Sequence, residues 1–545
     1  MPSRKCLTRA FGRAFAGLVT YPSGMNFKLK NMQTLALAMV LSCASLSGAG
    51  PLKGRTGPTD EVAESVWVSM RIKVPAPGAL NEAKGFGLVL MDPDRGSLGE
   101  DFVWDEPNTD HSIAIGFDVH NPQPTDLEPD EKGRVMGWFD GFGNWYDREQ
   151  REISVHANGR ERINVLSDIE FRTGAWMDVM VQVRYILGGA HVQVLLDGQT
   201  VIDEDIWDVR PMRLHAMAGV EGDSIEIKDL AIASVTPLDT PIPEPVRVDV
   251  FDAEFLANAK RLKSDVEFSA TPVEVGRVIA TLTLSEPEVG YDHWDKKGTI
   301  GITMPSEGEE AGERFEVFRF ITPFRRGWTW YMDVSDLLPL FKDERAFDAH
   351  IGTYMKGWDV SFSLDFYPGV LERTPIQVVN LWNGNADIGD PEKPVADFYK
   401  AREIPVPEGA THARVRATVT GHGMFPNSKN AGEFMPIWRT LTIGSEANEG
   451  DVLEQDFITM SARDHLWKTD VYLNPCRPQG GTWKFDRSGW APGSKIEPWI
   501  VDVQPEFMFG KTITINYELD EYLNEGRGET WAPHHWTDTV VIFYK

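Results

Sequence analysis

Met177-Asp-Val-Met-Val-Gln-Val-Arg-Tyr185 is the stretch that decides the fold. Apolar and polar side chains alternate through it with a period of two. One set therefore faces a core and the other faces solvent, the mark of a half-buried β-strand. Downstream, His191-Val-Gln-Val-Leu-Leu196 runs into Asp197-Gly198, a two-residue hairpin signal, and Thr200-Val-Ile202 resumes the strand. Ser224-Ile-Glu-Ile-Lys-Asp-Leu-Ala-Ile232 alternates again, and Gly/Pro/Asn/Asp clusters separate short strands elsewhere. The expected class is all-β, built of antiparallel sandwiches. One helix is expected, over Asp252–Leu262.

The chain has 545 residues and a formal net charge of −28. That length calls for about three or four domains. So acidic a surface cannot hold nucleic acid by neutralising phosphates, and an anionic membrane would repel it. Three cysteines cannot make a disulfide framework or a Cys-rich zinc site. Pro237, Pro241, Pro243 and Pro245 crowd one segment and favour extended backbone, so 237–247 reads as a linker. A polar stretch, Asn383–Pro394, separates later strand-rich blocks.

Residues 1–49 carry Arg4, Lys5, Arg9, Arg13, Lys28 and Lys30 and no acid. Met25-Asn-Phe-Lys-Leu-Lys30 precedes the apolar run Thr34–Leu41, and small residues follow. That order is expected of a secretory signal, with translation starting at Met1 or Met25. The apolar run is too short to span a bilayer. Val40-Leu-Ser-Cys43 looks like a lipoprotein cleavage box, making Cys43 a candidate lipid anchor. The protein is expected to be secreted, periplasmic or on the cell surface.

Familiar catalytic signatures (HExxH, CxxC, GxSxG, Walker A, GxGxxG) are missing. His534-His535 reads as a pair of structural loop histidines. Asp92, Asp94 and Asp101 could offer oxygens to calcium, but a solvated acidic loop is the simpler reading in so acidic a chain. Tryptophan is the richer signal, with 12 of 18 beyond residue 247. Asp292-His-Trp-Asp-Lys296 puts acids and an aromatic at a turn. The segment 478–493 holds Trp483, Arg487 and Trp490 among glycines and prolines. Aromatic faces stack on sugars while carboxylates and Arg bind hydroxyls, so these loops could form a sugar platform. Equally, the tryptophans could plug the ends of sandwiches.

Residues 60–236 resemble concanavalin-like jelly rolls of the laminin-G and legume-lectin type. The cues are Ile113-Ala-Ile-Gly-Phe-Asp118, the 196–198 hairpin and the closing alternating strand. Carbohydrate is the ligand such a domain implies. From about Val248 onward the chain resembles the peptide-N-glycosidase F family of secreted bacterial amidases. The matching blocks are Val250-Phe-Asp-Ala253, Tyr291-Asp-His-Trp-Asp-Lys296, Arg319-Phe-Ile-Thr-Pro-Phe324 and Asp333-Val-Ser-Asp336. They continue through Val419-Thr-Gly-His-Gly423, Ala431-Gly-Glu-Phe434, Arg439-Thr-Leu-Thr-Ile443, Asn474-Pro475 and Asp486-Arg-Ser-Gly-Trp-Ala-Pro-Gly493.

This resemblance implies two side-by-side eight-stranded antiparallel jelly rolls, 248–388 and 389–545, with a glycan cleft where they meet. It implies hydrolysis of the Asn–GlcNAc amide of N-glycoproteins by a monomer without metal or cofactor. Asp295 and Glu433 match its catalytic acids. Arg487 and Trp490 match residues lining its site, Trp294 keeps the neighbouring aromatic, and Lys296 replaces an arginine. A third acid of the family falls near His350–Met355, where Tyr354 is the nearest match, and His422 and Phe434 stand in for tryptophans. Ala431, Met435 and Ala491 occupy three of its disulfide-cysteine positions. The alternative is a non-catalytic glycan-binding or adhesion protein with a degenerate cleft. A copper monooxygenase would need clustered His and Met ligands, and the histidines are scattered.

Overall fold

In the computed structural model, the residues described are 52–76, 84–99, 102–105, 107–119, 152–222, 224–257, 260–306, 312–353, 356–423, 432–433, 437–446, 452–460, 462–463, 487–520 and 533–545. The signal region with Met25 and Cys43, and also Asp101, Tyr354 and Phe434, lie outside them. Among the described residues, no helix is long and apolar enough to cross a membrane. Six antiparallel sheets layer in pairs around three apolar cores, and a two-stranded ribbon, Ala462–Arg463 with Arg487–Ser488, accompanies the last pair.

The first sandwich pairs a six-stranded with a five-stranded sheet. Met177, Val179, Val181, Val183 and Tyr185 all point into its core, as their alternation predicts. Asp197 and Gly198 both take positive φ (46° and 78°), the geometry a two-residue turn needs to match strand twist. Ser112–Asp118 is buried on both faces. Ile113, Ile115 and Phe117 fill the main core, and Ala114 packs into a second cluster around Trp104.

The expected helix is corrected to sheet. Val246–Ala257 is a strand on Gly357–Pro368, and Arg261–Glu267 forms another on Glu344–Ile351. Register shifts between Asp249 and Phe251 and between Phe251 and Glu254, with Ala253 at φ 49°, reset the alternation. The resulting spacing of Phe251, Phe255 and Leu256 imitates a helical period, and tertiary pairing overrides it.

The expected break at residue 388 also moves. Pro375–Asp387 pairs along its length with His534–Tyr544 and therefore belongs to the third sandwich. Its polar Asn383 and Asn385 are not linker residues, because the neighbouring Trp382 and Ala386 are buried in the sheet. His534 and His535 correct a further expectation, since they begin that strand rather than occupy a loop.

One strand explains why the second and third sandwiches lie side by side. Along His534–Tyr544, Val541 and Phe543 enter the third core, while Val540, Ile542 and Tyr544 enter the second. From Val540 to Tyr544 both faces of the strand are apolar, and both are buried. A charged seam continues this contact. Arg319 grips Glu316 through both carboxylate oxygens (2.6 and 3.0 Å) and donates to Thr420 Oγ1 (3.1 Å) and the Trp536 carbonyl (2.7 Å). The Glu316 amide donates to Asp538 at 3.2 Å.

Candidate functional site

The loop carrying Asp295 precedes strand Lys297–Thr303 and is tied down by neighbours of Asp295. Asp292 is fully buried. Its carboxylate accepts from Thr353 Oγ1 and from the Trp294 amide, and its backbone bonds Gly357 and Arg325. Thr322 brackets the aspartate: its hydroxyl donates to the Trp294 carbonyl (2.7 Å) and accepts from the Lys296 amide (2.8 Å). Its own amide donates to the Lys296 carbonyl (2.9 Å). The acid between these anchors is only half-buried. Trp294 is 46% exposed, with the His293 ring 4.7 Å from its own and Lys296 Nζ 5.8 Å from its centroid.

Ile321, next to Thr322, leads across the seam. Its amide donates to Ser494 and its side chain packs with Trp490 and Ile496. Trp490 is only 4% exposed, donates Nε1–H to the Gly421 carbonyl (2.7 Å) and stacks on His422 at 5.4 Å. It holds the wall of the site; it does not offer an open face.

Glu433 follows at a turn whose carbonyl accepts from the Ser488 amide (2.8 Å). Two glycines make this approach possible. A Cβ on Gly432 would stand 1.9 Å from the His422 carbonyl oxygen, and one on Gly421 would stand 2.1 Å from that of Gly432. Gly432→Ala is therefore expected to push the Glu433 turn off its seat while the sandwich cores stay intact. Loss of any activity with an unchanged melting temperature is the readout. An unaltered rate would show that the turn tolerates the shift.

Successive contacts thus link the Asp295 loop, Thr322, Ile321, Trp490, His422 and the Gly432–Glu433 turn. Arg487 pairs through its backbone with Arg463 in the ribbon beside this turn, and its side chain is outside the described residues. Tyr354 also lies outside them. Thr322 and Gly432 were overlooked as contributors, although both lie in the blocks that carried the family resemblance.

Burial favours the neutral form of three basic groups around this wall. Lys297 Nζ is buried on the face of Trp536 with no hydrogen-bond partner among the described residues, and burial followed by Arg319 lowers its pKa to about 5. Burial and then Lys297 hold His422 well below the imidazole range. His535, buried beneath, falls to about 3 for the same primary reason. Unfolding returns Lys297 to ~10.4, so the unfolded chain binds the extra proton between those values. Stability from this residue is complete above ~pH 10 and is lost as pH falls toward about 5. Lys297→Met is expected to raise the melting temperature at pH 7 and flatten its slope from pH 5 to ~9. Parallel slopes for both proteins would contradict the neutral amine.

Comparisons with known proteins bear on the same region. The family described as "Peptide-N-glycosidase F, C terminal" matches residues 395–532. Peptide-N(4)-(N-acetyl-beta-D-glucosaminyl)asparagine amidase F of Elizabethkingia miricola is 24% identical over 310 residues, 54% of this chain and 82% of the relative. The solved PNGase F of Flavobacterium meningosepticum is 22% identical, covering 55% of this chain and 96% of its own, with a TM-score of 0.45. The structure of PNGF-II covers 88% of this chain and 99% of its own at 13% identity and a TM-score of 0.43. Over its C-terminal half and more, the chain is thus similar to peptide-N-glycosidase F, with the family's C-terminal part matched at residues 395–532.

Proposed function

We propose that the protein is a secreted peptide-N-glycosidase that hydrolyses the amide between asparagine and the first GlcNAc of an N-glycan. What supports this most is the convergence of the Asp295 loop and the Glu433 turn on one wall, formed by Ile321, Trp490 and His422, at the seam between two sandwiches. In the reaction, water adds to the amide carbonyl carbon and the C–N bond breaks. The nitrogen leaves protonated as the glycosylamine, and asparagine becomes aspartate. Two carboxylates in unlike settings can divide these proton transfers.

Asp295, on a rigid turn beside the exposed Trp294, serves as general acid/base at the amide and first sugar. Glu433 orients or activates the water. Arg487 holds a hydroxyl or the carbonyl oxygen, Trp294 and Lys296 meet the sugar, and His422 and Trp490 back the wall. Tyr354 stands in the neighbourhood of the family's third acid. The first sandwich contributes carbohydrate binding that brings the enzyme to its substrate.

The test is incubation of the protein with a denatured N-glycoprotein, followed by mass spectrometry of glycan and peptide. Intact released glycan with asparagine converted to aspartate supports the proposal. Glycan binding without release selects the non-catalytic reading and turns attention to Tyr354.

A further inference from the structure

A cavity of about 970 Å³ opens where the three sandwiches meet. That lies at the upper end of the ~300–1,000 Å³ usual for small-molecule sites. The first sandwich contributes Glu204, Asp205 and Trp207, the second Arg277, Asp333 and Asp336, and the third Arg414, Arg416, Lys495 and Glu497. None of the Asp295 site residues lines it. One wall is set by Arg277, which stacks on Trp207 at 4.8 Å.

Most cations of the lining are committed. Arg277 reaches Asp205 and Asp333, Arg414 bonds Asp336 (3.1 Å) and Asp502 (2.9 Å), and Lys495 pairs with Glu497. Arg184 and Arg373 are exposed. Arg416 differs from all of these. It is 7% exposed, and its one hydrogen bond among the described residues runs from Nη2 to the Met332 sulfur at 3.3 Å. Strand alternation puts it on the face shared with Arg414, away from the core that takes Val415. Burial lowers its pKa although Asp336, Glu497 and Asp333 pull the other way. A buried guanidinium with idle N–H groups costs stability unless something else satisfies them.

The surrounding acids decide what that partner is. They stand near enough to repel an anion, while Arg416 opposes a cation. A neutral polyol suits both, since its hydroxyl oxygens accept from Arg416 and its hydroxyl protons go to carboxylates. We infer that this junction is a binding site for a neutral oligosaccharide, with Arg416 as principal donor and Asp336 and Glu497 as acceptors. The site is independent of cleavage at Asp295 and goes beyond the proposed activity.

The test is calorimetric titration of the full-length protein with maltohexaose, xylohexaose and a free oligomannose glycan. Sialyllactose and a galacturonate oligomer serve as anionic probes. Binding of a neutral probe is expected to weaken about tenfold or more in Arg416→Met, the scale of a lost hydrogen bond to a charged group. It should weaken several-fold in Glu497→Gln and stay unchanged in Phe255→Ala, an exposed substitution outside both sites. Glu497→Gln decides the matter if Arg416→Met fails to fold. No binding by any neutral probe, tighter binding of an anionic one, or loss in Trp294→Ala with retention in Arg416→Met would each overturn the inference.

Discussion

Asp295→Asn is expected to slow glycan release by about 10²- to 10⁴-fold, the usual contribution of a positioned acid or base. Its melting temperature should stay unchanged. The substitution is isosteric, and the loop is anchored by the buried Asp292 and by the three Thr322 hydrogen bonds on either side. Asp292→Asn provides the contrast. That carboxylate is wholly buried on Thr353 and the Trp294 amide, so its loss should lower stability together with activity. Single-turnover release measured by mass spectrometry separates the two. An undiminished rate in Asp295→Asn would remove this residue from the chemistry.

The second large effect concerns the seam. Arg319→Met is expected to destabilise the protein by about 3–5 kcal/mol, the range for removing one partner of a buried ion pair. Glu316 and Asp538 would then share a buried region without the guanidinium that now bonds Glu316 directly and offsets the charge on Asp538. Asp538 is already pushed up, first by burial and then by Glu316. A raised carboxylate contributes stability that is present below its unfolded pKa of ~3.9 and is lost as pH rises through the folded value. The deficit of the variant should therefore be largest at neutral pH and shrink toward ~pH 4. Denaturant melts at pH 4.5 and 7.5 check this, and a pH-independent deficit would argue that lost packing dominates. Since the Arg319 side chain also bonds Thr420 and the Trp536 carbonyl, the variant should loosen the site wall as well.

Much of this architecture is legible along the chain, because strand formation has a local signature. Met177–Tyr185 shows its core face residue by residue, and Asp197-Gly198 states its turn. The errors share one cause. Asp252–Leu262 looked helical because two register shifts broke the alternation, and a bulge is defined by the partner strand. Asn383–Pro394 reads as a polar separator because its asparagines alternate with Trp382 and Ala386, yet up to Asp387 it continues a strand whose partner lies some 150 residues away. Lys297 carries no signal in the sequence, and burial against Trp536 favours its neutral form.

The sequence by itself determined the all-β class and the hairpins, since these depend on side-chain period and turn chemistry, while its resemblance to a family named the candidate acids. Tertiary structure decided where those acids stand and what surrounds them. The Asp295 loop and the Gly432–Glu433 turn are linked through Thr322, Ile321, Trp490 and His422, beside a seam of Arg319, Glu316 and Asp538. Among the described residues, Arg416 is left without a carboxylate partner where the three sandwiches meet. Burial, desolvation and long-range pairing belong to the assembled fold, because each depends on neighbours far away in the chain.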